Sequence, residues 1–375
     1  MKILFLCPCL EPGKDGVGDY VTRLAFSLLN EGHIVSSIAL NDHFVSQVIT
    51  EEKKQGKKGY QVLRIPSNYS FSTRMNEAEN WLNSFEPSWI SLQYVGFGYN
   101  KYGLPIELFS LRRRMGDTNL HIMYHELWCG TPRESKLKEK VLGTLQKIFI
   151  KGLSLALRPR QIFTNTPTSQ KNLGRMGLVS RLTPVFSNIP INERGPDDHW
   201  KQLKEEKDFN RFLVKKEDWL ILGFFGTVYN YMDLKKLLVH AAIAATNTSK
   251  KLGILSIGHG RGRDISKLAE EIKASYWQTG TLSSYLINQT MKLVDLGVVT
   301  TRIDGLNKSG SALAWLERGI PVIISEDDNT YEEAMAKQGV HQIHNSQDIC
   351  RSLNSKGQFK IHNHLKETTE AYASL

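Results

Sequence analysis

Four cysteines in 375 residues (Cys7, Cys9, Cys129 and Cys350) are too few for a disulfide framework, and their spacing fits no zinc site. Such usage fits a reducing, cytoplasmic compartment. Also missing is any apolar run long enough to cross a bilayer. Met1-Lys2 and the largely apolar residues after it resemble the start of a signal peptide, but Pro8 interrupts them and no small-residue cleavage site follows; the segment reads as a first buried strand. There is no short-period repeat and no low-complexity tract. With no Asp-x-Asp motif and no His/Asp cluster, no bound metal is expected. Acidic residues are in deficit: 38 Asp and Glu against 48 Lys and Arg leave a net charge of +10. The excess favours acidic partners such as a sugar nucleotide, an anionic membrane surface or nucleic acid. No aromatic-basic recognition motif accompanies it, which makes nucleic acid the weakest of these.

What is present is ample core material, 41% apolar residues, in a chain long enough for two domains. Short apolar runs alternate with helical stretches at 3–6, 34–40, 61–65, 89–94, 121–124 and 161–164, and again at 220–225, 253–257, 296–300 and 321–324. Alternation of this kind predicts a parallel sheet wound on both faces by helices, and it occurs twice. Between the two sets, 192–218 is polar and charged and reads as a partly helical connection. The expected division is a domain over 1–195, a second over 216–350, and a helical tail over 351–375 that packs back on the first. Two such domains facing one another would hold a ligand in the cleft, at the carboxyl ends of their strands.

Gly13-Lys14-Asp15-Gly16-Val17-Gly18-Asp19-Tyr20 lies between the first apolar run and a helical stretch ending near Gly32-His33. A strand, a glycine loop and a helix in that order aim backbone N–H groups at an anion or sugar above the sheet. The same glycines would also serve a plain tight turn. The spacing is not G-x-G-x-x-G, and Asp42 falls a little later than that fingerprint's acidic residue, which disfavours a dehydrogenase. In the second half, Asp304-Gly305-Leu306-Asn307-Lys308-Ser309-Gly310-Ser311 leads into Ala312–Arg318 and Gly319-Ile320-Pro321-Val322. A Ser-Gly-Ser loop supplies hydroxyl and backbone donors to a diphosphate, or an ordinary serine cap to a helix.

Taken with Leu92-Gln93-Tyr94-Val95, His125-Glu126, Thr164-Asn165-Thr166 and Phe225-Gly226, these motifs resemble GT-B glycosyltransferases over about residues 1 to 350. The order is similar to the retaining, nucleotide-sugar-dependent branch that includes glycogen synthases and bacterial mannosyltransferases. The resemblance implies two Rossmann-like domains, the first for the acceptor and the second for a UDP- or GDP-linked sugar, with no other cofactor. It implies catalytic roles for His125, Asp19 and Asp304. It places the donor on Gly16, Gly18, Gly226, Thr227, Arg261, Lys308, Ser309, Gly310 and Ser311. His125 at a strand end would also suit a purely structural role, and Asp19 a helix cap.

Two departures stand out. The family's paired glutamates, aligned on Gly319-Ile320-Pro321-Val322, fall on Leu306 and Ala314, leaving Asp304 in place of the first. Its Phe-Gly-Arg is Phe225-Gly226-Thr227, and its following lysine is matched loosely by Lys235 or Lys236, so Arg261, Arg263 and Lys308 become candidates to neutralise diphosphate. A sugar-nucleotide epimerase and a catalytically silent binding module therefore stay open beside a transferase. The basic, amphipathic stretch 136–160 and Arg112-Arg113-Arg114 allow two readings: a core-packed helix with a solvated basic face, or a surface for a lipid-linked acceptor at the inner membrane face.

Overall fold

The computed structural model describes residues 1–130, 135–191, 197–230, 233–260, 262–324 and 333–375. It divides into two compact units, Met1–Val185 with His364–Leu375, and Phe186–Asn363.

The first unit carries an eight-stranded sheet: β1 (Lys2–Cys7), β2 (Ile34–Asp42), β3 (Ile49–Gln55), β4 (Lys58–Pro66), β5 (Trp89–Tyr94), β6 (Asn119–Tyr124), β7 (Gln161–Thr164) and β8 (Arg181–Leu182), in spatial order β3-β4-β2-β1-β5-β6-β7-β8. Every pairing is parallel except the β3–β4 hairpin. The central strands are buried on both faces, hence their unbroken apolar runs. The Gly16–Asn30 helix follows β1, capped by Asp15, whose carboxylate accepts from the Val17 N–H. The His364–Ala373 helix closes the unit by packing on that first helix, where the Thr369 hydroxyl donates to Ser27 Oγ at 2.8 Å.

The second unit carries β9 (Trp219–Phe225), β10 (Lys251–Ile257), β11 (Ser275–Gln278), β12 (Leu296–Val298), β13 (Val322–Ile324) and β14 (Val340–Gln342), all parallel, in spatial order β11-β10-β9-β12-β13-β14. Renumbered within the unit this is 3-2-1-4-5-6, the order of the doubly wound nucleotide-binding sheet.

The unit boundary falls between Val185 and Phe186, and the chain returns to the first unit only at His364, so 186–191 and 351–363 belong to the second unit. The segment expected to be a connection, as far as it is described, is instead part of that unit's core. Leu203, Phe209 and Phe212 are buried; Phe209 stacks on Trp277 at 4.4 Å, and Phe212 fills the space that Gly253 in β10 leaves free. Its polar composition hides one apolar face on two short helices, Asp197–Glu205 and Lys207–Leu213.

Candidate functional site

In the second unit the strand order reverses between β9 and β12, and such a reversal opens a crevice at the carboxyl ends. Gly226 and Thr227 follow β9, and Thr300 and Thr301 come just after β12. The Thr300 hydroxyl accepts from the Tyr229 N–H at 2.8 Å and donates to the Thr227 carbonyl at 3.3 Å, tying the two loops together. Thr301, Ser309 and Ser311 form a chain of hydroxyls spaced 3.4 and 3.0 Å apart, and Ser309 caps the Gly310–Leu316 helix by accepting from Ala312 N. Gly226 has φ +85°, and a Cβ added there would lie 3.5 Å from the Ser311 Cβ, so the loop after β9 runs beside Ser311. A Cβ at Gly310 would meet nothing within 4 Å.

Trp315 explains why these groups converge. It is fully buried, and its indole occupies space that Gly223 in β9 and Gly297 in β12 leave open, where added Cβ atoms would approach to 2.6 and 2.5 Å. The tryptophan thus pins the Gly310–Leu316 helix to the two strands that form the reversal. The result is a cluster of hydroxyl and backbone donors around open backbone, chemistry suited to phosphate oxygens.

In the first unit the corresponding reversal lies between β1 and β5. Around it, the loop after β1 is held by buried charge. Asp42 accepts from Leu10 N and Phe44 N and pairs with Arg64 at 2.8 Å, and Arg64 reaches Glu11. Burial would raise the Asp42 carboxyl, but the Arg64 guanidinium together with the Phe44 and Leu10 N–H groups outweighs it and holds the group below its ordinary value. Asp42, the acidic residue weighed for a dinucleotide ribose, is therefore engaged by Arg64.

A second buried network lies under the ends of β5 and β6. Gln93 Nε2 donates to Ser91 Oγ at 2.6 Å and to the Tyr372 hydroxyl at 3.2 Å. With both amide donors used, Gln93 Oε1 accepts from His125 Nε2 at 2.8 Å, so the neutral His125 ring carries its lone pair on Nδ1. The Tyr20 and His125 rings meet edge to face at 4.9 Å. Ser91 Oγ also bonds His121 Nδ1 at 2.8 Å, and burial pushes the His121 pKa down to about 3, helped by nearby His125. Burial drives the Tyr372 phenol up to about 12.

No protein-family model matches the chain, and no curated protein matches it in sequence. Solved structures do match it over nearly its whole length. Sucrose-phosphate synthase from Thermosynechococcus elongatus is 14% identical, with a TM-score of 0.57 over 99% of this chain and 94% of that one. UDP-GlcNAc 2-epimerase from Neisseria meningitidis, bound to UDP-GlcNAc, is 12% identical, with a TM-score of 0.56 over 100% of this chain and 99% of that one. α,α-Trehalose-6-phosphate synthase from Burkholderia multivorans is 9% identical, with a TM-score of 0.52 over 100% and 97%. The chain has the GT-B fold.

Within this GT-B chain, the structure gathers Gly226, Thr227, Ser309, Gly310 and Ser311 at one switch point, with Lys308 half-buried at the end of the preceding 3₁₀ turn, Ile303–Lys308. Arg261 lies outside the described residues, and Asp304 is described only as backbone of that turn. Arg263 donates its backbone N–H to Val228, beside the β9 loop, while its charge acts on Glu271. Lys235 pairs with Glu271 on the surface. Leu306 and Ala314, where the glutamate pair would stand, are core residues.

In the first unit, Gly16 is exposed with open space around it, whereas a Cβ on Gly18 would strike the Cys9 carbonyl at 2.5 Å. Gly18 therefore lets the helix approach the chain end of β1. Asp15, not Asp19, caps the helix; Asp19 closes the loop by accepting from Gly13 N at 3.1 Å, and burial raises both carboxyls above the ordinary range. Sequence reasoning missed Thr300 and Thr301, although they stand at the end of an apolar run as Gly226 does. It also missed Tyr372, which nothing local marks. Among the described residues no three His, Cys, Asp or Glu side chains are grouped to hold a metal ion.

Proposed function

We propose that this chain is a glycosyltransferase that moves a sugar from a UDP- or GDP-linked donor to a sugar, glycan or lipid-linked acceptor, with retention. The observation that carries the reading is the convergence of Gly226, Thr227, Thr300, Thr301, Ser309 and Ser311 at the β9/β12 switch point. Breaking the anomeric C–O bond through an oxocarbenium-like state sends charge onto the leaving diphosphate, and preorganised hydroxyl and amide donors stabilise that charge as it grows. His125, oriented by Gln93, is the group proposed to act on the transferred sugar. Solved structures of this fold carry UDP-GlcNAc in one case, which supports a nucleotide sugar as ligand. That neighbour is itself an epimerase, so isomerisation of a bound nucleotide sugar is the second reading.

Calorimetric titration with UDP, GDP and their sugars tests the donor site. The open space at Gly310 means that Gly310→Val leaves the fold intact while placing methyl groups where phosphate would approach the backbone. The expected result is at least tenfold weaker nucleotide binding, about 1.4 kcal/mol. Unchanged affinity in the folded variant contradicts the assignment.

A further inference from the structure

The Leu137–Leu157 helix has two apolar faces. Its inner face buries Phe149, Ile150, Leu153 and Leu157 in the first unit. Its outer face carries Leu137, Val141, Leu145, Ile148 and Leu155, each between 50% and 77% exposed. At 100° per residue these five fall within an arc of about 80°, nearly opposite the buried face, and run along about 27 Å of helix. Of the two readings of this stretch, a core-packed helix with a solvated basic face does not account for the outer apolar stripe. The basic residues flank the outer stripe: Lys138 on one side, Lys147 and Lys151 on the other, all exposed. Phe109, partly exposed and packed on Phe149 at 5.3 Å beside Gly152, broadens the apolar surface.

We infer that this face docks the protein on an anionic lipid surface, lying in the plane of the interface. An exposed apolar stripe of this length is the mark of an interaction surface, and charge identifies the occupant. Residues 136–160 hold seven basic side chains and a single acid, Glu139. A second copy of the chain, meeting this face through a two-fold axis, would set lysine against lysine. Nucleic acid would leave the aliphatic stripe without stacking partners. A lipid surface satisfies both features at once: the aliphatic side chains enter the acyl boundary while the lysines reach anionic headgroups along their own methylene stems. No helix of the described residues is long and apolar enough to cross a membrane. The docking is independent of the donor reading and would stand if that reading failed.

Flotation with vesicles of phosphatidylcholine mixed equally with phosphatidylglycerol tests it. At low ionic strength the protein should float with these vesicles, stay behind with pure phosphatidylcholine, and be released as salt rises. Two variants separate the contributions: the combined Lys138→Glu, Lys147→Glu and Lys151→Glu variant, and Ile148→Asp with all lysines intact. The first should weaken partitioning at least tenfold and the second severalfold, both with wild-type melting temperature and nucleotide affinity. Three results would overturn the inference: no flotation at low salt, variants that float like the wild type, or a wild-type dimer that Ile148→Asp dissociates without any vesicle binding.

Discussion

At the ends of β5 and β6 the first unit buries two imidazoles and two phenols, His121, His125, Tyr20 and Tyr372, in one hydrogen-bonded and ring-packed network. At the ends of β9 and β12 the second unit gathers threonine and serine hydroxyls with glycine backbone. The first adjoins the β1/β5 reversal through β5 and the second sits at the β9/β12 reversal, so topology alone does not separate them. Their chemistry does. Neutral donors around open backbone suit an anion that must bind and leave, while a buried imidazole with a fixed tautomer suits a group that responds to charge forming on a substrate.

The largest effect that could break this division is on stability. Trp315→Ala should cost about 3–5 kcal/mol, as large buried aromatics do, and should weaken nucleotide binding through loss of the Ser309–Ser311 anchor. Urea unfolding and titration of the same sample check both, and a loss under 1 kcal/mol would remove Trp315 from the account. Next is His125→Ala, which should lower turnover at least a hundredfold, in the range typical of acid–base side chains, while nucleotide affinity stays within about twofold. An equal fall in both would erase the distinction between the units.

A smaller effect sharpens the contrast through pH. His121 titrates at about 3 when folded against 6.5 ordinarily. The unfolded chain therefore takes up the proton first, and stability is lost as pH falls through 6.5 toward 3. Between pH 7 and pH 5 this imidazole should account for about 2 kcal/mol of lost stability. Urea titrations of wild type and His121→Phe at both pH values measure it, and parallel losses in the two proteins would show that His121 is not the source.

The inner strands were legible because burial on both faces demands continuous apolar runs, and each run marked in the sequence holds a strand. The strands that escaped notice are β3, β8, β11 and β14, which are the four edges of the two sheets. Edges need little apolar sequence: β3 reads Ile-Thr-Glu-Glu-Lys-Lys-Gln, and β8 has two exposed residues. The site followed the same rule. Gly226, Ser309 and Ser311 adjoin strong local patterns, and the structure brings these three candidates side by side. Asp15 was overlooked as a cap because Asp19 sits in the same loop, and Tyr372 because its role depends on a helix returning from the far end of the sequence to His121 and Gln93.

The most direct measurement is the fate of the donor. Wild-type protein incubated with UDP- and GDP-sugars, with a panel of sugar and lipid-linked acceptors, is followed by nuclear magnetic resonance of the anomeric proton and by chromatography of the nucleotide. The account predicts free nucleoside diphosphate, with the sugar joined to an acceptor in the anomeric configuration it had in the donor. Sugar that stays attached to the nucleotide but changes configuration within its ring would contradict transfer and establish epimerisation. Nucleotide that binds but is never turned over, whatever the acceptor, would contradict catalysis altogether.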